Sequence, residues 1–136
     1  MKKVRDGVYI GDIQDGQRNV DNTELTILTV CPVFEKHELR NSHYIPLQDG
    51  ENEQTEFNTA VRKMINLIRH NRPVLVHCNM GVSRSATILA TALSRIESIS
   101  FDKALQEIEQ HKPNVNPSQE LRVHAQNYLS SSVTKK

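Results

Sequence analysis

Residues Val74 to Ser85, VLVHCNMGVSRS, constrain this chain more than any other stretch. Pro73 interrupts the helical pattern before it and pushes its predecessor out of the α region. Val74, Leu75 and Val76 then form a short apolar run that suits a strand buried on both faces. Asn79, Met80, Gly81, Val82 and Ser83 follow Cys78, and Arg84 opens a new amphipathic pattern. Strand, tight polar loop and helix start therefore succeed one another within twelve residues, with a cysteine at the head of the loop and an arginine at its foot.

This order predicts an anion site. Backbone N–H groups of a loop curling into a helix N-terminus point inward, and the helix dipole adds about half a positive charge. Gly81 permits the positive φ or close backbone approach that such a curl needs. Arg84 adds a planar, permanently charged fork for two oxygens of a tetrahedral phosphate. The same field favours thiolate over thiol at Cys78.

HCNMGVSRS resembles the His-Cys-x5-Arg-Ser signature of the cysteine-dependent protein phosphatases, and its Gly-x-Ser-Arg-Ser ending is similar to that of the dual-specificity branch. The resemblance implies a thiophosphate intermediate on Cys78, with Arg84 and the loop residues Asn79, Met80, Gly81, Val82 and Ser83 holding the phosphoryl group. It also implies a hydrogen bond from Ser85 to the thiolate as it leaves. Val4 to Asp12 (VRDGVYIGD) looks like the opening of dual-specificity domains, so the likeness begins near residue 4. Lys112-Pro113-x-x-x-Pro117 resembles the family's Arg-Pro-x-x-x-Pro-Asn connector, with Ser118 where Asn is usual. If that Asn supports the loop, Ser118 must do so differently.

Elsewhere the hydrophobic pattern alternates strands with helices. Strands are expected at Val8–Ile10, Leu25–Val30 and His43–Leu47 as well as at Val74–Val76. Gln14–Glu24 reads as a short helix or turn followed by a loop, and Glu35–Ser42 as a charged loop. A helix should run from about Gln54 to His70–Arg72 with Phe57, Val61, Met64, Ile65 and Ile68 inward. A second should run from Arg84 to about Glu97, burying Ile88, Leu89, Ala92, Leu93 and Ile96. Ser100 should cap a third through about Gln110, and a fourth should start at Pro117, with Leu121, Ala125, Tyr128 and Leu129 on one face. The expectation is an α/β domain over residues 1–130, with a central, mostly parallel sheet of four or five strands flanked by helices, and a disordered tail over 131–136.

Expelling an alkoxide or phenoxide from a phosphate ester is helped by a carboxylic acid. Asp49, Glu51, Glu53 and Glu56 lie just upstream of the first long helix. Asp49 follows a strand end and shares its loop with Gly50. Ile45-Pro46-Leu47-x-Asp49 is similar to the segment where dual-specificity phosphatases carry their acid, which implies that role for Asp49. His77 precedes the nucleophile, and strand alternation turns its side chain away from that of Cys78. It is expected to orient the loop and tune the thiolate. Cys31, at the end of an apolar strand, reads as a core residue; it also resembles in position the second cysteine of some family members, which implies a reversible Cys31–Cys78 disulfide after oxidation.

Composition removes other classes. The chain has 136 residues, 37% of them hydrophobic, enough for one core that buries roughly two thirds of the unfolded surface. Seventeen basic and sixteen acidic residues leave a net charge of +1, and no basic block points to nucleic acid or an anionic membrane. No apolar run approaches ~18 residues, and Met1–Asp6 does not read as a signal peptide. Two distant cysteines make neither a disulfide scaffold nor a zinc set, and the histidines lack metal-ligand spacing. No cofactor or metal is expected, and the expected location is cytoplasmic. Phosphorylated proteins are the expected substrates, and the loop carries no lysine to favour polyphosphorylated inositols. Aromatic content of 4% argues for a shallow site that admits phosphotyrosine, phosphoserine and phosphothreonine. An RNA 5′-phosphatase and a phosphate-binding module without turnover are the alternatives.

Overall fold

A computed structural model describes residues 1–32, 42–70 and 72–131. Its elements are β1 (Lys2–Arg5), β2 (Val8–Gly11), α1 (Ile13–Arg18), β3 (Thr26–Thr29), β4 (Ser42–Tyr44), α2 (Gln54–His70), β5 (Val74–His77), α3 (Arg84–Glu97), α4 (Phe101–Glu109) and α5 (Gln119–Ser131). Among the described residues the sheet has five strands in the order β1-β2-β5-β3-β4. Only β1 runs antiparallel to its neighbour; β2, β5, β3 and β4 are parallel, in line with the expected architecture.

Alternation along β5 divides the interior in two. Val74 and Val76 join the main core, which holds Leu28, Val30, Phe57, Met64, Ile88, Leu89 and Ile108 and lies under α2 to α5. Leu75 joins a small cluster with Leu25, Ile27 and the partly buried Tyr9. All four residues of β5 are buried, the two-sided burial that its apolar run predicts. The predicted inward faces of the helices hold, with Ile65, Ile96 and Leu129 packed at the margin of the core.

Several boundaries differ from expectation. Strand β1 escapes sequence reading because Val4 is its sole apolar residue; it forms by pairing with β2 across a turn in which Gly7 adopts φ +74°. The strand expected at His43–Leu47 ends at Tyr44, since Pro46 has no N–H to contribute, although Ile45 and Leu47 still donate to Thr29 and Val30 at 3.0 and 3.2 Å. Ser42, expected in a loop, opens β4, and residues 33–41 of the segment before it lie outside the described residues. Helix α5 begins at Gln119 rather than Pro117, because the Ser118 hydroxyl accepts from the Leu121 N–H at 3.3 Å and caps it. Ser131, expected in the tail, is its last residue; residues 132–136 lie outside the described residues. Ser100 caps α4 as predicted, accepting from the Lys103 N–H.

Because the four parallel strands share one direction, their C-terminal ends lie along one edge of the sheet. The turn after β2, Cys31 after β3, the Ile45–Asp49 segment after β4 and the loop after β5 all leave from that edge, where open α/β sheets form their sites.

Candidate active site

The loop from Cys78 to Ser83 is held from outside by its carbonyls. Cys78 O faces the His77 ring at 3.3 Å, Asn79 O accepts from the Ile13 N–H at 3.0 Å, Val82 O from the Asn116 N–H at 2.7 Å, and Ser83 O from the Thr87 N–H at 2.9 Å. Among the described residues, none of the N–H groups from Asn79 to Ser83 donates to a protein acceptor. With four of the loop's six carbonyls engaged in this way, these N–H groups at the start of α3 can turn to an anion. Gly81 adopts φ +72°, and a Cβ there would stand 2.8 Å from Gly11 O, so only glycine fits.

Cys78 is 2% exposed and its Sγ lies 3.3 Å from the buried Ser85 Oγ, at the first turn of α3. A hydroxyl here can donate to a sulfur that carries charge. Arg84 spends one nitrogen on the segment after β4: Nη1 donates to Leu47 O at 3.1 Å. Its buried Nε has no acceptor among the described residues. An anion oxygen is the partner that such a donor takes.

His77 lies on the opposite face of β5 from Cys78, as alternation predicted. The Cys78 carbonyl can only accept, so Nδ1 carries the proton, and Nε2 accepts from the Thr29 hydroxyl at 2.8 Å. Burial pushes the imidazole pKa below its usual range, against the weaker opposing effects of the Cys78 carbonyl, Asp12 and Asp15. The ring is therefore neutral and locked at both nitrogens. Thr29 and His77 are register partners of β3 and β5, and the threonine's part was not legible from the chain alone.

Asp49 sits exposed in the turn after β4, two residues beyond the carbonyl held by Arg84. Among the described residues its carboxylate makes no hydrogen bond or ion pair, and Glu51, Glu53 and Glu56 are also exposed. Sequence reasoning missed Asn52, whose side chain closes this turn, accepting from the Gln48 N–H at 2.8 Å and donating to Gln48 O and Gly50 O at 3.1 Å each. Cys31 is a buried free thiol. Burial, together with the charge of the neighbouring Cys78 and against that of Arg84, pushes its pKa up to about 11. Ser118 supports the loop through its backbone, the N–H donating to Ser83 Oγ at 3.0 Å.

The chain matches the family model described as dual specificity phosphatase, catalytic domain, over residues 8–128. Dual specificity protein phosphatase 22-A of zebrafish, Danio rerio, is 26% identical over 141 residues, covering 98% of this chain and 67% of that protein. Dual specificity protein phosphatase 1-A of Xenopus laevis is 29% identical over 120 residues, covering 82% of this chain. The chain spans 32% of that longer relative. Among solved structures, the crystal structure of human DUSP28 superposes with a TM-score of 0.83 at 18% identity, covering all of both chains.

Proposed function

Because this chain belongs to the dual specificity phosphatases, we propose that it hydrolyses phosphate monoesters on proteins by two-step transfer through Cys78. The observation that carries this reading is the buried Arg84 Nε, next in sequence to Ser85 of the buried Cys78–Ser85 pair, at the foot of a loop whose N–H groups, like that Nε, have no acceptor among the described residues.

In the first step Cys78 Sγ attacks phosphorus, and the ester oxygen leaves with a proton from the Asp49 carboxyl. In the second, water attacks phosphorus, gives its proton to the Asp49 carboxylate, and the P–S bond breaks. Ser85 Oγ–H then donates to the departing sulfur. Arg84 and the N–H groups of Asn79 to Ser83 hold the equatorial oxygens, where charge gathers in both transition states. His77 fixes the cysteine carbonyl and so the start of the loop.

Phosphotyrosine, phosphoserine and phosphothreonine are the proposed substrates. Met80, within the loop, is 69% exposed and offers a low, apolar rim rather than a deep slot. A near-neutral chain without a basic block suits protein rather than nucleic acid. Two free cysteines suit a reducing, cytoplasmic setting. Among the described residues no helix is long and apolar enough to cross a membrane. Cys31 is proposed as a redox partner: peroxide converts the Cys78 thiolate to a sulfenic acid, and the Cys31 thiol attacks that sulfur with loss of water to form a disulfide.

Hydrolysis of para-nitrophenyl phosphate with chelator present, at mildly acidic pH and under reducing conditions, tests the reading. Wild type should turn over, and Cys78→Ser should lose at least about three orders of magnitude. Absence of turnover in the wild type, with phosphate still bound, would instead make this a binding module. Hydrolysis of RNA 5′-phosphates in preference to phosphopeptides would move the substrate to RNA.

A further inference from the structure

We propose that Asn52 is a positioning residue for the Asp49 carboxyl, an inference that rests on Asp49 as the general acid. Three hydrogen bonds carry it. Asn52 Oδ1 holds the N–H of Gln48, and Nδ2 holds the carbonyls of Gln48 and Gly50, so one amide side chain binds the backbone on both sides of Asp49. The Asp49 carboxylate makes no hydrogen bond or ion pair of its own among the described residues. Its direction is therefore set by the backbone beneath it, and that backbone is set by Asn52.

The turn is anchored beyond Asn52 as well. Upstream, Leu47 N–H donates to Val30 O and Leu47 O accepts from Arg84. Downstream, Glu53 O accepts from the Glu56 and Phe57 N–H groups, and Gln54 Nε2 donates to His124 O on α5. Both ends are tied to rigid elements, which leaves the few residues between them as the variable part. A general acid works only within hydrogen-bond reach of the leaving oxygen, and a misplacement of about 1 Å can cost about a hundredfold. An exposed aspartate on an unbraced Gly-containing turn would spend most of its time elsewhere.

The test is a double-mutant cycle on two substrates, an activated aryl phosphate and a phosphoserine peptide. Asn52→Ala should lower kcat about tenfold on the peptide and about twofold or less on the aryl ester, because only the poor leaving group needs the proton. Asp49→Ala should show the same dependence more strongly, and adding Asn52→Ala to it should change nothing further, since the two act as one unit. Asn52→Asp keeps the acceptor for Gln48 N–H and loses both donors, so it should fall between wild type and Asn52→Ala; it also carries the test if Asn52→Ala fails to fold. Equal losses on both substrates, or a further tenfold loss in the double variant, would overturn the assignment. If Asp49→Ala itself shows no dependence on the leaving group, the general-acid reading falls and this inference with it. A dependence at Asp49 without one at Asn52 would refute the positioning role alone.

Discussion

Gly16 of α1 stands directly against His77: a Cβ on the glycine would lie 2.5 Å from the ring Nε2. The sequence left a short helix or a turn open here, and the structure places Asp15 and Gly16 inside a short helix closed by a capping box between Asp12 and Asp15. Glycine weakens a helix by about 1 kcal/mol relative to alanine, so its presence here has a packing reason. The histidine ring cannot retreat, because it is buried and bonded to Thr29 and to the Cys78 carbonyl.

Gly16→Ala should therefore destabilise the protein despite alanine's better helix propensity. The expected cost is about 1–3 kcal/mol, the range for forced overpacking. Urea denaturation measures it, and a shift of the His77 ring nitrogens in NMR spectra should accompany it. A variant as stable as wild type would show that α1 moves aside freely.

The buried His77 makes stability sensitive to acid. Its pKa is lowered in the fold, so the unfolded chain binds the proton more readily. The neutral ring's contribution is complete above the unfolded value near 6.5, is lost as pH falls from there through the lowered folded value, and then stays constant. Urea unfolding at pH 7.5 and 5 should show a larger loss for wild type than for His77→Asn. Equal losses would mean that the ring is accessible to protons in the folded state.

At the connector, two serines should respond differently. Ser118→Asn should stay within about 0.5 kcal/mol of wild type, because asparagine caps a helix as well as serine and the bond to Ser83 comes from the backbone. Ser118→Ala should cost about 1 kcal/mol. Ser83→Ala removes the acceptor of the Ser118 N–H and should lower kcat/KM about tenfold, equivalent to about 1.4 kcal/mol. Thermal unfolding and steady-state kinetics separate the two effects.

Cys31 should resist alkylation. A buried thiol with its pKa at about 11 stays protonated at pH 8, so iodoacetamide should leave it unmodified until the chain is unfolded. Peptide mapping reads this directly. Mild peroxide should nevertheless link it to Cys78, slowly, since a protonated thiol is a weak nucleophile. Sulfinic or sulfonic acid at Cys78 with Cys31 still free would remove the redox role.

Much of the site was legible because its main part is contiguous. The succession from Val74 to Ser85 encodes a strand, a loop and a helix start locally, and the apolar periods of 2 and 3.6 mark which faces are buried. The opposite orientations of His77 and Cys78 follow from that alternation alone. So does a sheet flanked by helices, once strands and helices alternate along the chain.

What the chain alone determined was therefore the kind of each element and the face that it buries, because both are set by neighbours a few residues away. Tertiary structure decided which elements meet. The register of β3 against β5 brings Thr29 to His77, forty-eight positions apart, and the packing of the segment after β4 brings Leu47 to Arg84, thirty-seven apart. β1 exists only because β2 offers it an edge. Periodicity records burial and not partnership, and a polar side chain such as that of Asn52 gains its role only when a turn closes around it.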